Sequence, residues 1–182
     1  MEPGVGKRPH RMTISAPELL SALHDLADFD CGKPALNHWL QNFALSNQKN
    51  NFTRVLVVQE SLKVLGFYGL APSAVQPAML SRSLRTGRSP DPVPCILLGQ
   101  LAVDMRRAGR GIGSALLRDA LLRCVAAAQA IGGRAVIVRA IDKAAEAYWI
   151  SNGFVAAKND PATLFRSVEA IAAWLQSGEM DR

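Results

Sequence analysis

Between residues 106 and 113 the chain reads "RRAGRGIG", three glycines and three arginines in eight residues. The stretch follows a run of strand-forming residues, "CILLGQLAVD" (95–104), and precedes a helical pattern, "SALLRDALLRCVAAAQAI" (114–131). Strand, glycine loop and helix in that order make an anion site. Glycine lets the backbone turn sharply and approach a ligand, and the N–H groups of the loop and first helical turn point at a phosphate. Two common phosphate motifs fail on spacing. A G-x-G-x-x-G fingerprint would need its third glycine at Leu116 or Ser114, and no lysine follows any of these glycines as a P-loop requires. A second stretch with chemistry is "AYWISNGF" (147–154), where Tyr148 and Trp149 are adjacent just before Gly153 and Phe154. A phenol can give up a proton, whereas an indole N–H can only hydrogen-bond. On a helix adjacent side chains point about 100° apart, so the two rings cannot simply trade places.

The elements that must position these residues alternate along the chain. "APELLSALHDL" (16–26) and "GKPALNHWLQNFALSNQ" (32–48) place apolar residues at helical spacing, and Trp39 and Leu40 read as core. "TRVLVVQE" (53–60) and "KVLGFYGLAPSAV" (63–75) read as an antiparallel hairpin. After the long helix come a strand "RAVIVRA" (134–140), a helix "DKAAEAYWISN" (142–152), a strand near "TLFRSV" (163–168) and a terminal helix "EAIAAWLQS" (169–177). The expected fold class is mixed α/β (α+β), with a βα unit at its centre. At 182 residues the chain is long enough for one core. A single domain is expected over 13–178, behind a flexible tail of residues 1–12, and the arginine-bearing tip 81–94 has a disordered composition.

Composition narrows the partners. No apolar run reaches the roughly 18 residues that span a bilayer, and the first residues lack an apolar signal core, so a soluble cytoplasmic protein is expected. Cys31, Cys95 and Cys124 form neither a disulfide framework nor a metal-ligand cluster, and no metal is expected. The net charge is +6 and is unevenly spread: Arg82, Arg85, Arg88, Arg106, Arg107 and Arg110 face only Asp91 and Asp104 between residues 82 and 110. That favours a phosphate-bearing ligand. His10, His24 and His38 stand isolated and are given no catalytic role.

"AVDMRRAGRGIGSALLRDAL" resembles motif A of the GNAT N-acetyltransferase superfamily, Q/R-x-x-G-x-G/A, laid onto Ala108 to Gly113. The resemblance implies a GNAT fold with a central mixed sheet of about six to seven strands flanked by helices. It implies acetyl-CoA as cosubstrate. Its pyrophosphate would lie on Arg107, Ala108, Gly109, Arg110, Gly111, Ile112, Gly113 and Ser114, and its pantetheine arm along the backbone of Leu101, Ala102 and Val103. Ala108 departs from the motif's Gln or Arg, and Arg106, Arg107 and Arg110 are expected to supply the missing charge. "FDCGKPALNHWLQNFALSNQ", "LGQLAVD" and "GFVAAKNDPATLFRSV" extend the likeness over roughly residues 13–168, to the GNAT-fold toxins of bacterial toxin-antitoxin pairs. Those proteins acetylate the α-amino group of aminoacyl-tRNA and are held inactive by a ribbon-helix-helix antitoxin; a homodimer is a further expectation. The family's Tyr-x-x-x-Gly-Phe segment places its proton-donating tyrosine at Trp149 here, with Tyr148 as its neighbour. Either the helix is turned so that Tyr148 faces the cofactor, or Trp149 packs on it and water supplies the proton.

The acceptor can be argued from proton chemistry. An α-amine titrates near 7.7–8.0 and is largely ready to attack at physiological pH, whereas a lysine near 10.4 needs a base. Within strands 53–75 and 95–104 the only carboxylates are Glu60 and Asp104, both at strand ends. An α-amine is therefore the expected acceptor, with Arg82, Arg85 and Arg88, helped by Lys7, Arg8 and Arg11, as contacts to tRNA phosphates. The alternatives are a protein N-terminus, a polyamine or another small amine, or an acyl-CoA binder without catalysis.

Overall fold

The computed structural model describes residues 13–85 and 87–178. The expected tail of residues 1–12, with Lys7, Arg8, His10 and Arg11, lies outside the described residues. The hairpin forms as its β-branched and aromatic runs predict: β2 (Arg54–Glu60) and β3 (Lys63–Val75) pair antiparallel across Ser61 and Leu62. β4 (Val93–Val103) pairs antiparallel with β3, and the chain then crosses through helix α3 (Ile112–Ile131) to β5 (Ala135–Arg139), which lies parallel to β4. Helix α4 (Lys143–Ser151) leads to β6 (Val155–Ala157) and β7 (Asp160–Ser167), and helix α5 (Val168–Ser177) follows. With β1 (Glu18–Leu19) on the opposite edge, the seven strands run in the order β1-β2-β3-β4-β5-β7-β6. β6 is an element that the sequence reading did not separate from its surroundings.

The helix expected over 16–26 does not form. Leu19 and Leu23 are exposed while Leu20 is buried, so the apolar positions do not make one stripe. Glu18 and Leu19 instead join the edge of β2, and the His24 ring accepts a hydrogen bond from the Ser21 N–H at 2.9 Å, a local bond that competes with a helical turn. The helix expected over 32–48 does form, as α1 (Pro34–Trp39) and α2 (Leu45–Lys49) joined by one π-helical segment at Leu40–Ala44.

The sheet has two covered faces. α3, α5 and Trp149 of α4 cover one, over a core that includes Tyr68, Leu98, Leu116, Leu121, Val136 and Leu164. On the other face the α1–α2 helix buries Val55, Val57, Phe67 and Ala102. Farther along that face, Leu80 and Leu84 of the β3–β4 connection pack on Cys95, Ala135, Ile137 and Phe165. The tip read as disordered is thus anchored by two buried leucines, and Arg134 Nε donates to the Leu84 carbonyl at 3.0 Å. Between these two covers, β3 and β4 carry Gly69 and Gly99.

Candidate active site

The anion loop is built on backbone geometry. Asp104 follows β4 and caps a single 3-10 turn, Met105–Arg107, by accepting the Arg106 N–H at 2.9 Å. Gly109 and Gly111 then take left-handed φ values of 72° and 79°, and α3 starts at Ile112. A β-carbon at either glycine would meet nothing within 4 Å, so conformation rather than space requires glycine there, and the loop is open outward. No side chain caps α3, which leaves the N–H groups of Ile112, Gly113 and Ser114 to the open side, at the positive end of a 20-residue helix. This donor set fits a pyrophosphate.

The three loop arginines divide. Arg106 binds Asp104 through two hydrogen bonds of 2.8 and 2.6 Å and reaches the Asp28 carbonyl at 2.6 Å. Arg107 is paired with Glu60. Among the described residues only Arg110 of the three lacks a carboxylate partner, and it is exposed. The loop's cationic contribution is therefore concentrated on Arg110. The same pairs settle the carboxylates: Arg106 holds the Asp104 carboxyl down to about 2, so it cannot act as a base near neutrality. Replacing Asp104 by asparagine keeps its shape but removes a buried charged acceptor, and about 2 kcal/mol of stability should go with it, read by urea unfolding at pH 7. The folded carboxyl titrates below its ordinary 3.8, so its contribution is complete above that value. The difference between wild type and variant should fade as pH falls from about 4 toward 2.

β4 supplies the wall. The Asp104 N–H reaches the Leu65 carbonyl at 2.8 Å, which fixes the hydrogen-bonding alternation against β3. Ala102 turns its backbone groups to β3, while Leu101 and Val103 turn theirs the other way, toward β5. There they find no strand, because β4 and β5 pair only at Ile96–Val136 and Leu97–Ile137 and then part. A cleft with backbone donors and acceptors on one side results. Of the three expected pantetheine contacts, Leu101 and Val103 present polar groups to it.

Across the cleft stands α4. Asp142 caps it through the Ala145 N–H at 2.8 Å and pairs with Lys33 ahead of α1, which ties the helix to the N-terminal half. The adjacent rings have separate fates. Trp149 is 7% exposed, set edge-on against Phe154 at 5.2 Å in the α3 core. Tyr148 is 37% exposed, with its ring edge-on to Trp149 at 5.1 Å. Partial burial raises the Tyr148 phenol above its ordinary value, so it keeps its proton through the neutral range. Only Tyr148 of the pair offers a proton from an exposed position.

Arg82, Arg85 and Arg88 converge on an open concavity of about 830 Å³ with Pro77, Gly87 and Ser89, and no carboxylate lines it among the described residues. The Nε of Arg85 is buried without a partner. What the sequence reading missed is the β-bulge at Gly99, where the β3–β4 register shifts. A lone glycine inside an apolar strand run was the available signal.

No family model matches the sequence. The tRNA-acetylating toxin of Mycobacterium tuberculosis (strain ATCC 25618 / H37Rv) is 42% identical over 150 residues, 82% of this chain and 90% of that protein. The chain belongs to the GNAT-fold tRNA-acetylating toxins. Solved toxins of this fold superpose over nearly the whole chain. AtaT complexed with acetyl-methionyl-tRNAfMet matches with a TM-score of 0.81 at 28% identity, over 89% of this chain and 99% of that one. A tyrosine-to-phenylalanine mutant of AtaT bound to acetyl-CoA and the C-terminus of the antitoxin AtaR matches with a TM-score of 0.74 at 28% identity, over 90% and 97%. The chain is an N-acetyltransferase by this kinship, and it carries a β4–β5 parting and a glycine loop ahead of α3. No helix among the described residues is long and apolar enough to cross a membrane.

Proposed function

We propose that this toxin transfers acetyl from acetyl-CoA to the α-amine of an aminoacyl-tRNA and so blocks translation, acting in the cytoplasm through one domain over residues 13–178. The observation that carries the choice of acceptor is that Asp104 and Glu60 are both engaged by arginines. An acceptor that is substantially neutral at physiological pH fits a site whose strand carboxylates are engaged.

When bound, acetyl-CoA supplies the acetyl thioester. Backbone N–H groups from Gly109 to Ser114, with Arg110, hold the pyrophosphate, and Leu101 and Val103 hold the pantetheine amides. The acceptor nitrogen forms its bond to the acetyl carbon as the carbon–sulfur bond breaks. Tyr148 gives its proton to the departing sulfur, the proton lost by the amine passes to water, and water returns a proton to the Tyr148 phenolate. Holding both reactants in line supplies much of the rate. Regulation by a ribbon-helix-helix antitoxin and assembly as a homodimer belong to the same proposal. Purified protein and labelled acetyl-CoA should label charged but not uncharged tRNA; label on small amines alone would sink the reading.

The concavity of Arg82, Arg85 and Arg88 serves the tRNA phosphates in this reading. A triple change to glutamine should weaken aminoacyl-tRNA binding by about 10- to 100-fold at low salt, and the slope of log affinity against log salt should fall by about 2. The KM for acetyl-CoA should not move.

A further inference from the structure

The bulge at Gly99 redirects one side chain. Leu98 lies in the α3 core, as do the partly buried Leu101 and Val103, while Leu97 packs on the opposite face. In a regular strand residue 100 would follow Leu98 into the α3 core. The extra residue at Gly99 resets the alternation, so Gln100 instead shares the face of Leu97 and Ala102. It does so three residues past the last pairing of β4 with β5 at Leu97, where the cleft opens. It also stands in the gap between the α1–α2 helix and the anchored arginine tip.

The surroundings hold that amide without satisfying it. A β-carbon at Gly69 would stand 2.9 Å from Gln100 Oε1, 3.4 Å from Thr53 Oγ1 and 3.5 Å from the Trp39 ring, so the absence of a side chain at 69 makes the seat. Trp39, stacked on Phe67 at 6.0 Å and 13°, backs it. Thr53 spends its hydroxyl proton on the Leu70 carbonyl at 2.9 Å. The half-buried Gln100 carboxamide makes no hydrogen bond to any described residue, although its cross-strand and helical neighbours are in place.

We infer that Gln100 is the acceptor-binding residue of this site: its carboxamide hydrogen-bonds the incoming amine on the face opposite α3, with Gly69 as the floor and Trp39 as the wall of that subsite. The inference rests on the acyl-transfer reading above and adds the group that orients the nitrogen. A neutral amide suits the task. It accepts from an amine without favouring the ammonium form, which has no lone pair to attack with, whereas a carboxylate would hold the charged form.

Three variants test this with charged tRNA and acetyl-CoA. Gln100→Leu should lower kcat/KM for the acceptor by about 10- to 100-fold, with the acetyl-CoA dissociation constant and thermal midpoint close to wild type. Gln100→Glu should move the midpoint of the rate against pH upward by about one unit, because the carboxylate raises the pKa of the bound amine. Gly69→Ala, which displaces only the end of a flexible side chain, should lower acceptor kcat/KM while leaving acetyl-CoA binding intact. Unchanged acceptor kinetics and pH midpoint overturn the inference, as do losses that merely follow stability and acetyl-CoA affinity. Should wild type label only small amines, the tRNA reading falls, and the pH shift of Gln100→Glu with that amine still decides the role of Gln100.

Discussion

Changing Tyr148 to phenylalanine is expected to lower kcat by about 100- to 10,000-fold, the usual range for loss of a positioned general acid, while leaving acetyl-CoA binding within about a factor of three. The expectation rests on the division between the two rings. Tyr148 is exposed on α4, and its pKa is raised by burial of part of the phenol, so the acid form persists as pH rises. The rate should therefore climb through the α-amine's titration near 7.7–8.0 and show no descending limb until the phenol itself ionises. Trp149 predicts the opposite pattern. Cutting it to phenylalanine removes buried area from the α3 core, which should cost about 1–3 kcal/mol of stability and leave kcat within tenfold. Wild-type turnover in Tyr148→Phe would transfer the role to water, and a rate gain in Trp149→Tyr would point the same way.

The glycine loop was legible because its requirement is local. Gly109 and Gly111 take left-handed φ ahead of α3, and strand, loop and helix follow one another without a gap. The ring pair was not legible, because the 100° step along α4 says that the rings differ but not which one meets α3. That depends on packing against Leu116 and its neighbours in α3, more than 30 residues away. The arginines failed for a similar reason. Arg107 finds its partner 47 residues away at Glu60, and no spacing rule separates it from Arg110. The misread helix at 16–26 shows propensity losing to pairing, since two residues gained a strand edge and a side-chain bond displaced a helical turn. Gly99 and Gly69 were visible as glycines inside strands, but the register that makes one a bulge and the other a seat arises only when β3 meets β4.

Gly111→Val is expected to raise the KM for acetyl-CoA by 100-fold or more, with Gly111→Ala near tenfold, while the fold survives. A β-carbon in the left-handed region costs roughly 1–2 kcal/mol, more for a branched side chain, so urea unfolding should register a loss of about that size. The added atom itself meets nothing within 4 Å, so the chain has no internal clash to relieve. What changes is the path of the backbone into α3, and with it the aim of the Ile112, Gly113 and Ser114 N–H groups. Strain and function can be separated in the same series. Arg110→Ala leaves the backbone untouched and should raise KM about tenfold at low salt, an effect that shrinks as salt screens the charge. The valine variant should lose affinity at every salt concentration, because hydrogen-bond geometry rather than net charge has been damaged. Were Gly111→Val to bind acetyl-CoA within threefold of wild type by calorimetry, the loop would be a tight βα turn and nothing more, and the phosphate would have to sit elsewhere along the cleft.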